Sequence, residues 1–411
     1  MNTEQVISAL HSTGLSSLEE KMPVITDEPK IPGYFCFVSD KAKRKYNVEE
    51  TFGQGFDLEL GKARLKSVAE MLERLCLNNP VNRDLIASRK FFNGRMVDPA
   101  LFCCYSKEQL PNRDKVILES RKEEYVCMPA KDLFSNQEIF IPNQMIYLST
   151  EYDKEYPLRK EQTSSGAALG PIGTGFALRG GLLELIERDA CISSYLSQRD
   201  IPQIIGFDGE IQKLMDYLRR YRLETHILDV TTDIGAPTVI AVIIDRTGIG
   251  DAVNLGSRTE LEYTSAIRGA LLESLQCRGS SRISRQLNGG LKDPKEDEII
   301  TMSDRFEYWA HLKRIDDILP WLNRSRKVQF EGLRNVTVPF ERVLERFREK
   351  GFDIYVADIT LPEIREAGFE AVKVVVPELL PLYLDERAKA LYSVHHGSIP
   401  NNPKLKPHPL T

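Results

Sequence analysis

The stretch Gly181-Leu-Leu-Glu184-Leu-Ile-Glu187-Arg188-Asp189-Ala190 decides how this chain is read. Two glutamates three apart lie about 60° apart around a helix, so both point to one side. Leucines and an isoleucine flank them, which places the carboxylates on a half-buried surface. Further out, the chain repeats itself. Residues 67–75 read Ser67-Val-Ala-Glu70-Met-Leu-Glu73-Arg74-Leu75, and residues 273–278 read Glu273-Ser-Leu-Gln276-Cys-Arg278. Glu70 with Arg74, or Glu184 with Arg188, taken alone, is an ordinary i,i+4 ion pair stabilising a helix by about 0.2–0.5 kcal/mol. Three related copies in leucine-rich helices point further. Buried, unpaired carboxylates cost several kcal/mol each, so a cluster of them requires a cation. Oxygen-only ligands suit Mg²⁺, which keeps waters and bridges to substrate phosphates. The helices are therefore expected to converge on a glutamate cage that holds metal ions against a nucleotide.

Composition sets outer bounds. The chain has 411 residues, 42% apolar and 28% charged, with 55 Lys+Arg against 60 Asp+Glu and a net charge of −5. This is globular usage without the basic footprint of a nucleic-acid binder. Apolar runs such as Val239–Ile244 are far shorter than the roughly 20 residues of a membrane helix. The N-terminus lacks the basic start and apolar core of a secretory signal. Seven cysteines, none in CxxC spacing, predict neither a disulfide framework nor a structural zinc site and fit a reducing cytoplasm.

Periodicity predicts helices over about 59–78, 174–197, 259–278, 303–324 and 338–350. Strands are predicted at Ala100–Tyr105, Tyr125–Met128, Ile139–Ile141, Met145–Ser149, Thr225–Val230, Thr238–Ile244, Asp353–Ile359 and Ala371–Val376. The basic run Lys41–Lys45 reads as a solvated loop; the glycine-rich stretch Thr163–Gly175 reads as a plain turn before a helix, where small residues permit close backbone approach and the helix N-terminus favours anions. The order of elements predicts an α/β (α+β) chain of mixed sheets packed with helices and internal quasi-repetition. An N-terminal extension (1–50), one catalytic domain (51–400) and a proline-rich tail (401–411) are expected. His395 and His396 are adjacent, cannot share a helix face, and belong to no HxxxH or HExxH pattern, so a non-metal role is expected. Neither a phosphate-binding GxxxxGK[ST] loop nor a GxSxG elbow occurs.

Four segments in this order resemble the YcaO family of ATP-dependent enzymes that activate peptide backbone amides. They are Gly53–Gly55 leading to Ser67–Arg74, the SxGxAxG-like Ser164–Gly170 followed by Gly181–Ala190, the ALxExxQxR-like Ala270–Arg278, and Val374–Leu379. The resemblance spans roughly 50–400. It implies a YcaO-like ATP-binding fold, ATP and Mg²⁺ as cofactors, and Glu70, Glu73, Glu184 and Glu187 as metal ligands. Arg188 is implied near the phosphates, with Ser67, Arg74, Ser164, Ala168 and Glu273 in the nucleotide site. Three departures affect the adenine and ribose contacts. Gly269 stands where a basic residue is usual, with Arg268 beside it; Gln54 replaces a lysine; Pro171 replaces a small polar residue. Azoline-forming members end in an alternating proline tail reaching the active site. Pro407, Pro409 and Thr411 resemble it with two of three prolines, and His408 between them could carry a proton.

The implied activity is cyclodehydration of Cys, Ser or Thr in a ribosomal precursor peptide to thiazolines or oxazolines, of the kind found in antibiotic biosynthesis. A thioamide or amidine synthase and a non-catalytic scaffold subunit are the competing expectations. Little room before residue 50 for a leader-binding domain implies a separate leader-peptide-binding partner. A flavin dehydrogenase partner and a homodimer within a larger complex are also implied, but no nucleic acid or membrane.

Overall fold

The computed structural model describes residues 2–79, 86–88, 95–148, 158 and 165–410. Three strand–helix units organise it. The first is β1 (Phe52–Phe56) with α1 (Leu60–Leu77), the second β2 (Ala167–Pro171) with α2 (Phe176–Ser197), and the third β3 (Val253–Thr259) with α3 (Tyr263–Asn288). Each strand lies at the end of a different sheet. β1 ends a three-stranded antiparallel sheet with Gly33–Phe37 and Glu20–Lys21. β2 ends a six-stranded sheet, pairing antiparallel with Phe369–Val375, which in turn pairs with Tyr355–Asp358. β3 ends a five-stranded sheet, pairing with the fully buried Thr238–Asp245. Three sheet edges thus deliver three helices, and the expected quasi-repetition takes this form.

The apolar face of each helix fixes its seat. Val68, Met71, Leu72 and Leu75 of α1 are fully buried, as are Ala266, Ile267, Ala270 and Leu271 of α3. At about 25 cal/mol per Å² of apolar surface, each such leucine or isoleucine contributes roughly 1.5–3 kcal/mol. α1 stops before Pro80, as proline chemistry dictates.

Several local expectations are corrected. The Leu101–Tyr105 run is not a strand: Asp98 caps a 3₁₀ turn over Pro99–Phe102, and proline at its first position starts a turn. Asn143–Met145 is likewise a 3₁₀ turn; Ser149 lies outside the described residues. Lys41–Lys45 belongs to a helix, Asp40–Tyr46, capped by Ser39 and seated by the buried Ala42. The span 303–324 divides into Met302–Trp309 and Ile315–Asn323. Residues 167–171 of the presumed glycine-rich loop are strand β2, while Thr163 lies outside the described residues. Gly33–Phe37 and β3 are strands that periodicity did not reveal; the first buries Gly33 and Cys36, the second Asn254, Gly256, Ser257 and Thr259.

The C-terminal stretch folds back onto α2. The Pro407 carbonyl accepts from Trp309 Nε1 (3.2 Å) and the Tyr195 hydroxyl (3.4 Å), and the His408 carbonyl accepts from Arg305 (2.6 Å). His408 is fully buried, with Nε2 donating to the Tyr383 carbonyl at 2.8 Å. Burial, then the Arg305 guanidinium, holds it well below the ordinary imidazole range. Its full burial and its bond to the Tyr383 carbonyl make it part of the packing of the C-terminal stretch. None of the seven cysteines, all among the described residues, is in a disulfide. No helix among the described residues is long and apolar enough to cross a membrane.

Candidate active site

One main-chain hydrogen bond recurs in all three units. The Gln54 amide donates to Glu70 Oε2 at 2.7 Å, the Gly166 amide to Glu184 Oε2 at 2.9 Å, and the Ser257 amide to Glu273 Oε2 at 3.2 Å. In each unit the strand, or the residue just before it, hooks the glutamate of the following helix. Glycine makes the approach close enough. A Cβ on Gly53 would lie 2.3 Å from both Met71 N and Ser67 O, and one on Gly256 would lie 2.2 Å from Ser274 N and 2.4 Å from Ala270 O. The helix–strand offset is the same in both. In the second unit the glycine sits on the helix instead: Gly181 faces the Gly166 carbonyl, 2.5 Å from where its Cβ would be.

The three hooked glutamates meet in one solvent-open cavity, with Glu73, Glu187, Arg188, Arg258, Lys66, Ala168 and Gln276 also on its wall. Glu187 is 2% exposed and ties α2 to the third unit, accepting from the Ser257 hydroxyl (2.8 Å) and the Thr259 amide (2.7 Å). Arg188 lies between Glu184 (3.5 Å) and Glu187 (3.7 Å). Among the described residues nothing donates a hydrogen bond to Glu73.

The fields follow from this crowding. Burial raises Glu70 above the usual carboxylate range against the pull of Arg74 and the Gln54 amide. Burial raises Glu73 much further, reinforced by Glu184 and Glu70. Glu273 is pushed up to about 7 by burial and by Glu187, with Arg258 and Arg188 opposing. Burial works against the charge on Arg188, but Glu187, Glu184 and Glu273 outweigh it and hold the guanidinium protonated. Five carboxyl groups share the wall with Arg188, Arg258 and Lys66; in the metal-free chain protonation eases their crowding, and a bound divalent cation would ease it with the carboxylates charged. An all-oxygen donor set with an undonated carboxylate at Glu73 fits Mg²⁺.

The other expected residues take varied places. Arg74 braces Glu70 at 2.6 Å and donates to the Phe52 carbonyl at 3.1 Å, outside the cavity wall. Ser67 is fully buried under β1, its hydroxyl donating to the Arg64 carbonyl. Ser164 and Thr411 lie outside the described residues. Pro407 and Pro409 are buried against Tyr195 and its surroundings and are not on the cavity wall. Arg278 turns away to Glu28 (2.7 Å) and Asp245 (2.6 Å).

Sequence reasoning missed Arg258. Its Cγ lies 2.6 Å from where a Gly269 Cβ would stand, so its chain fills the space over Gly269 and brings a cation to the wall from β3. Burial opposes its charge, yet Glu187, Glu273 and Glu260 hold it protonated. Among the described residues it makes no hydrogen bond or ion pair. Arg268, the expected substitute, is committed to Asp57 at 2.9 Å. No local pattern marks it, because its place depends on Gly269 standing opposite on the following helix.

A second, narrow pocket lies across Arg188, lined among others by Cys103, Cys104, Leu185, Lys373 and Val374. Arg188 walls both.

Solved structures share this fold. A heterocyclase in complex with substrate and cofactor aligns with TM-score 0.69 and 19% identity over 92% of this chain and 52% of its own. YcaO from Methanopyrus kandleri, bound with AMPPCP and Mg²⁺, gives 0.66 and 17% over 98% and 96%. The Escherichia coli microcin synthetase McbBCD complex gives 0.64 and 16% over 88% of each chain. Two curated relatives are an uncharacterized protein of Methanothermobacter thermautotrophicus, 26% identical over 63% of this chain, and one encoded in the tfuA 3′ region of Rhizobium leguminosarum, 25% identical over 60%. The alignments span 66% and 59% of those relatives' lengths. The model of the ATP- and Mg²⁺-binding YcaO cyclodehydratase family matches residues 52–380, and the chain accordingly belongs to the YcaO family, with ATP and Mg²⁺ as its cofactors.

Proposed function

We propose that this chain is an ATP-dependent peptide cyclodehydratase acting on Cys, Ser or Thr of a ribosomal precursor peptide. The observation that carries the reading is Arg188 standing as a common wall between the five-glutamate cavity and the smaller, more apolar one. The triphosphate belongs on the glutamate side and the peptide amide on the other, which brings the amide oxygen to the phosphoryl group across one guanidinium.

The side chain of the substrate adds to the preceding carbonyl, and the resulting oxyanion attacks the γ-phosphorus of ATP. That addition has already closed the ring and released the side chain's proton; ADP leaves, the bond from the ring carbon to the phosphorylated oxygen breaks, and phosphate departs as the ring nitrogen gives up its proton and forms the C=N bond of a thiazoline or oxazoline. Glu70, Glu73, Glu184, Glu187 and Glu273 would hold Mg²⁺, which supplies charge neutralisation for the phosphates. Arg188 and Arg258 add fixed positive charge where the transferring group becomes most negative, in a site whose hooks need no rearrangement. A leader-binding protein, a flavin dehydrogenase that oxidises azolines to azoles, and a second copy of the chain are the proposed partners. The heterocyclase and microcin synthetase neighbours, described with substrate and as a complex, support that reading.

The test is mass spectrometry of the peptide after incubation with the chain, ATP and partner. A loss equal to one water supports the proposal. A gain from sulfur replacing oxygen, with a sulfide source, supports thioamidation instead. One observation favours that second reading: neither Pro407 nor Pro409 lines either cavity. Deleting residues 403–411 without loss of activity would strengthen it. Failure to bind nucleotide with Mg²⁺ in calorimetry would leave a scaffold subunit.

A further inference from the structure

Behind Arg188, on the side of α2 away from the glutamates, three potential ligand atoms converge on one point. Asp189 is fully buried, and its Oδ1 accepts from the Leu380 amide at 2.8 Å. Its Oδ2 meets His395 Nδ1 at 2.8 Å and His396 Nε2 at 3.0 Å, and all three atoms lie within 4.8 Å of one another. The two histidines reach one atom despite being adjacent because they occupy a turn. Tyr392–Ser393 pairs antiparallel with Gly397–Ser398, Gly397 takes φ 66°, and the Ser393 hydroxyl accepts from the His396 amide. The rings stand 4.1 Å apart, one over the other.

We propose that Asp189, His395 and His396 form a Zn²⁺ site that clamps this hairpin to α2. Two imidazole nitrogens and a carboxylate are the donor set of zinc, not of magnesium. Ligand atoms about 2.0–2.1 Å from a tetrahedral zinc lie about 3.3 Å apart; the oxygen stands at hydrogen-bond distance, 2.8 and 3.0 Å, from the two nitrogens, and all three atoms lie within 4.8 Å, so the cluster opens slightly to seat the ion. The remaining nitrogen of His395 already has its orienting partner: Nε2 is 2.7 Å from Asp233 Oδ1, and Lys350 pairs with the other oxygen of Asp233. A histidine ligand whose second nitrogen is held by a carboxylate is the usual outer support of a zinc site. His396, 19% exposed at its side chain, leaves the fourth position towards water. The non-metal expectation for the pair rested on helical spacing, which the turn does not use. The proposal does not depend on the reaction assigned above.

The chain, stripped with a chelator and then saturated with Mg²⁺ so that the glutamates are occupied, is titrated with Zn²⁺ alone, and separately with Co²⁺ for its visible spectrum. One zinc per chain, a four-coordinate cobalt spectrum, at least tenfold weaker binding in His396→Ala, and about 10–100-fold weaker binding in Asp233→Asn are expected. Glu184→Gln should keep the zinc, which separates this site from the glutamate cage. His396→Ala leaves the Asp189–His395–Asp233 contacts in place; should it fail to fold, the cobalt spectrum of the unaltered chain still decides. No stoichiometric zinc, an octahedral cobalt spectrum, or zinc binding unchanged in a folded His396→Ala would overturn the proposal, leaving an imidazolium held between two aspartates.

Discussion

The first two units and the third share a main-chain hook but not a charge pattern. α1 and α2 each carry a glutamate, a second glutamate three residues on, and an arginine four on that pairs with the first. α3 carries Glu273, then Gln276 and Cys277. Its cation comes from β3, where Arg258 lies over Gly269. The comparison teaches that backbone geometry is the repeated element, while charge is placed unit by unit. In the first unit the arginine braces from outside the cavity; in the second and third an arginine stands on its wall.

The largest expected effect tests whether the second unit is the centre. Glu187→Gln should lower ATP turnover, read as phosphate release, by about 10²–10³-fold, with a much smaller change in thermal unfolding. A variant that is stabilised and still active would end the cage reading. Next, Arg258→Ala should cost about 10²-fold in turnover, with partial recovery in Arg258→Lys. Arg74→Ala, which removes a brace outside the wall, should cost less than about tenfold. Equal losses would erase the distinction between the units.

The shared hook is tested by stability. Gly53→Ala and Gly256→Ala force a Cβ into helix backbone and should each cost about 1–3 kcal/mol in denaturant unfolding. Gly279→Ala, in open space on α3, should gain about 0.5–1 kcal/mol. The smallest effects are pH slopes. Glu273 has a folded value near 7, above its ordinary 4.5. Its contribution to the metal-free chain is therefore full at low pH and is lost as pH rises from about 4.5 through 7; Mg²⁺ with nucleotide should flatten that slope. His408 works in reverse, because its folded value lies below 6.5. Its contribution is full above 6.5 and is lost on acidification, and His408→Gln should abolish that part of the acid sensitivity.

What the sequence made legible was periodic. The helices around Glu70, Glu184 and Glu273 show their apolar faces at helical spacing, and the glutamates stand out against them. β1 and β3 were harder to read, because glycine and serine fill positions where β-branched residues usually mark a strand; close packing against helix backbone demanded the small residues. Arg258 was illegible for a related reason. Its importance depends on Gly269 lying across from it, a pairing between strand and helix that no local pattern encodes. The Leu101–Tyr105 run misled because apolar character alone does not separate a strand from a buried turn, and Asp98-Pro99 was the stronger signal.

The three amide hooks carry a consequence for how such a protein can diversify. A peptide N–H survives every substitution except proline, so the atoms that seat these acids are beyond the reach of most point mutation. Lineages can remodel the neighbouring wall without losing the alignment of the anionic core. New specificities can then arise on a foundation that drift leaves in place.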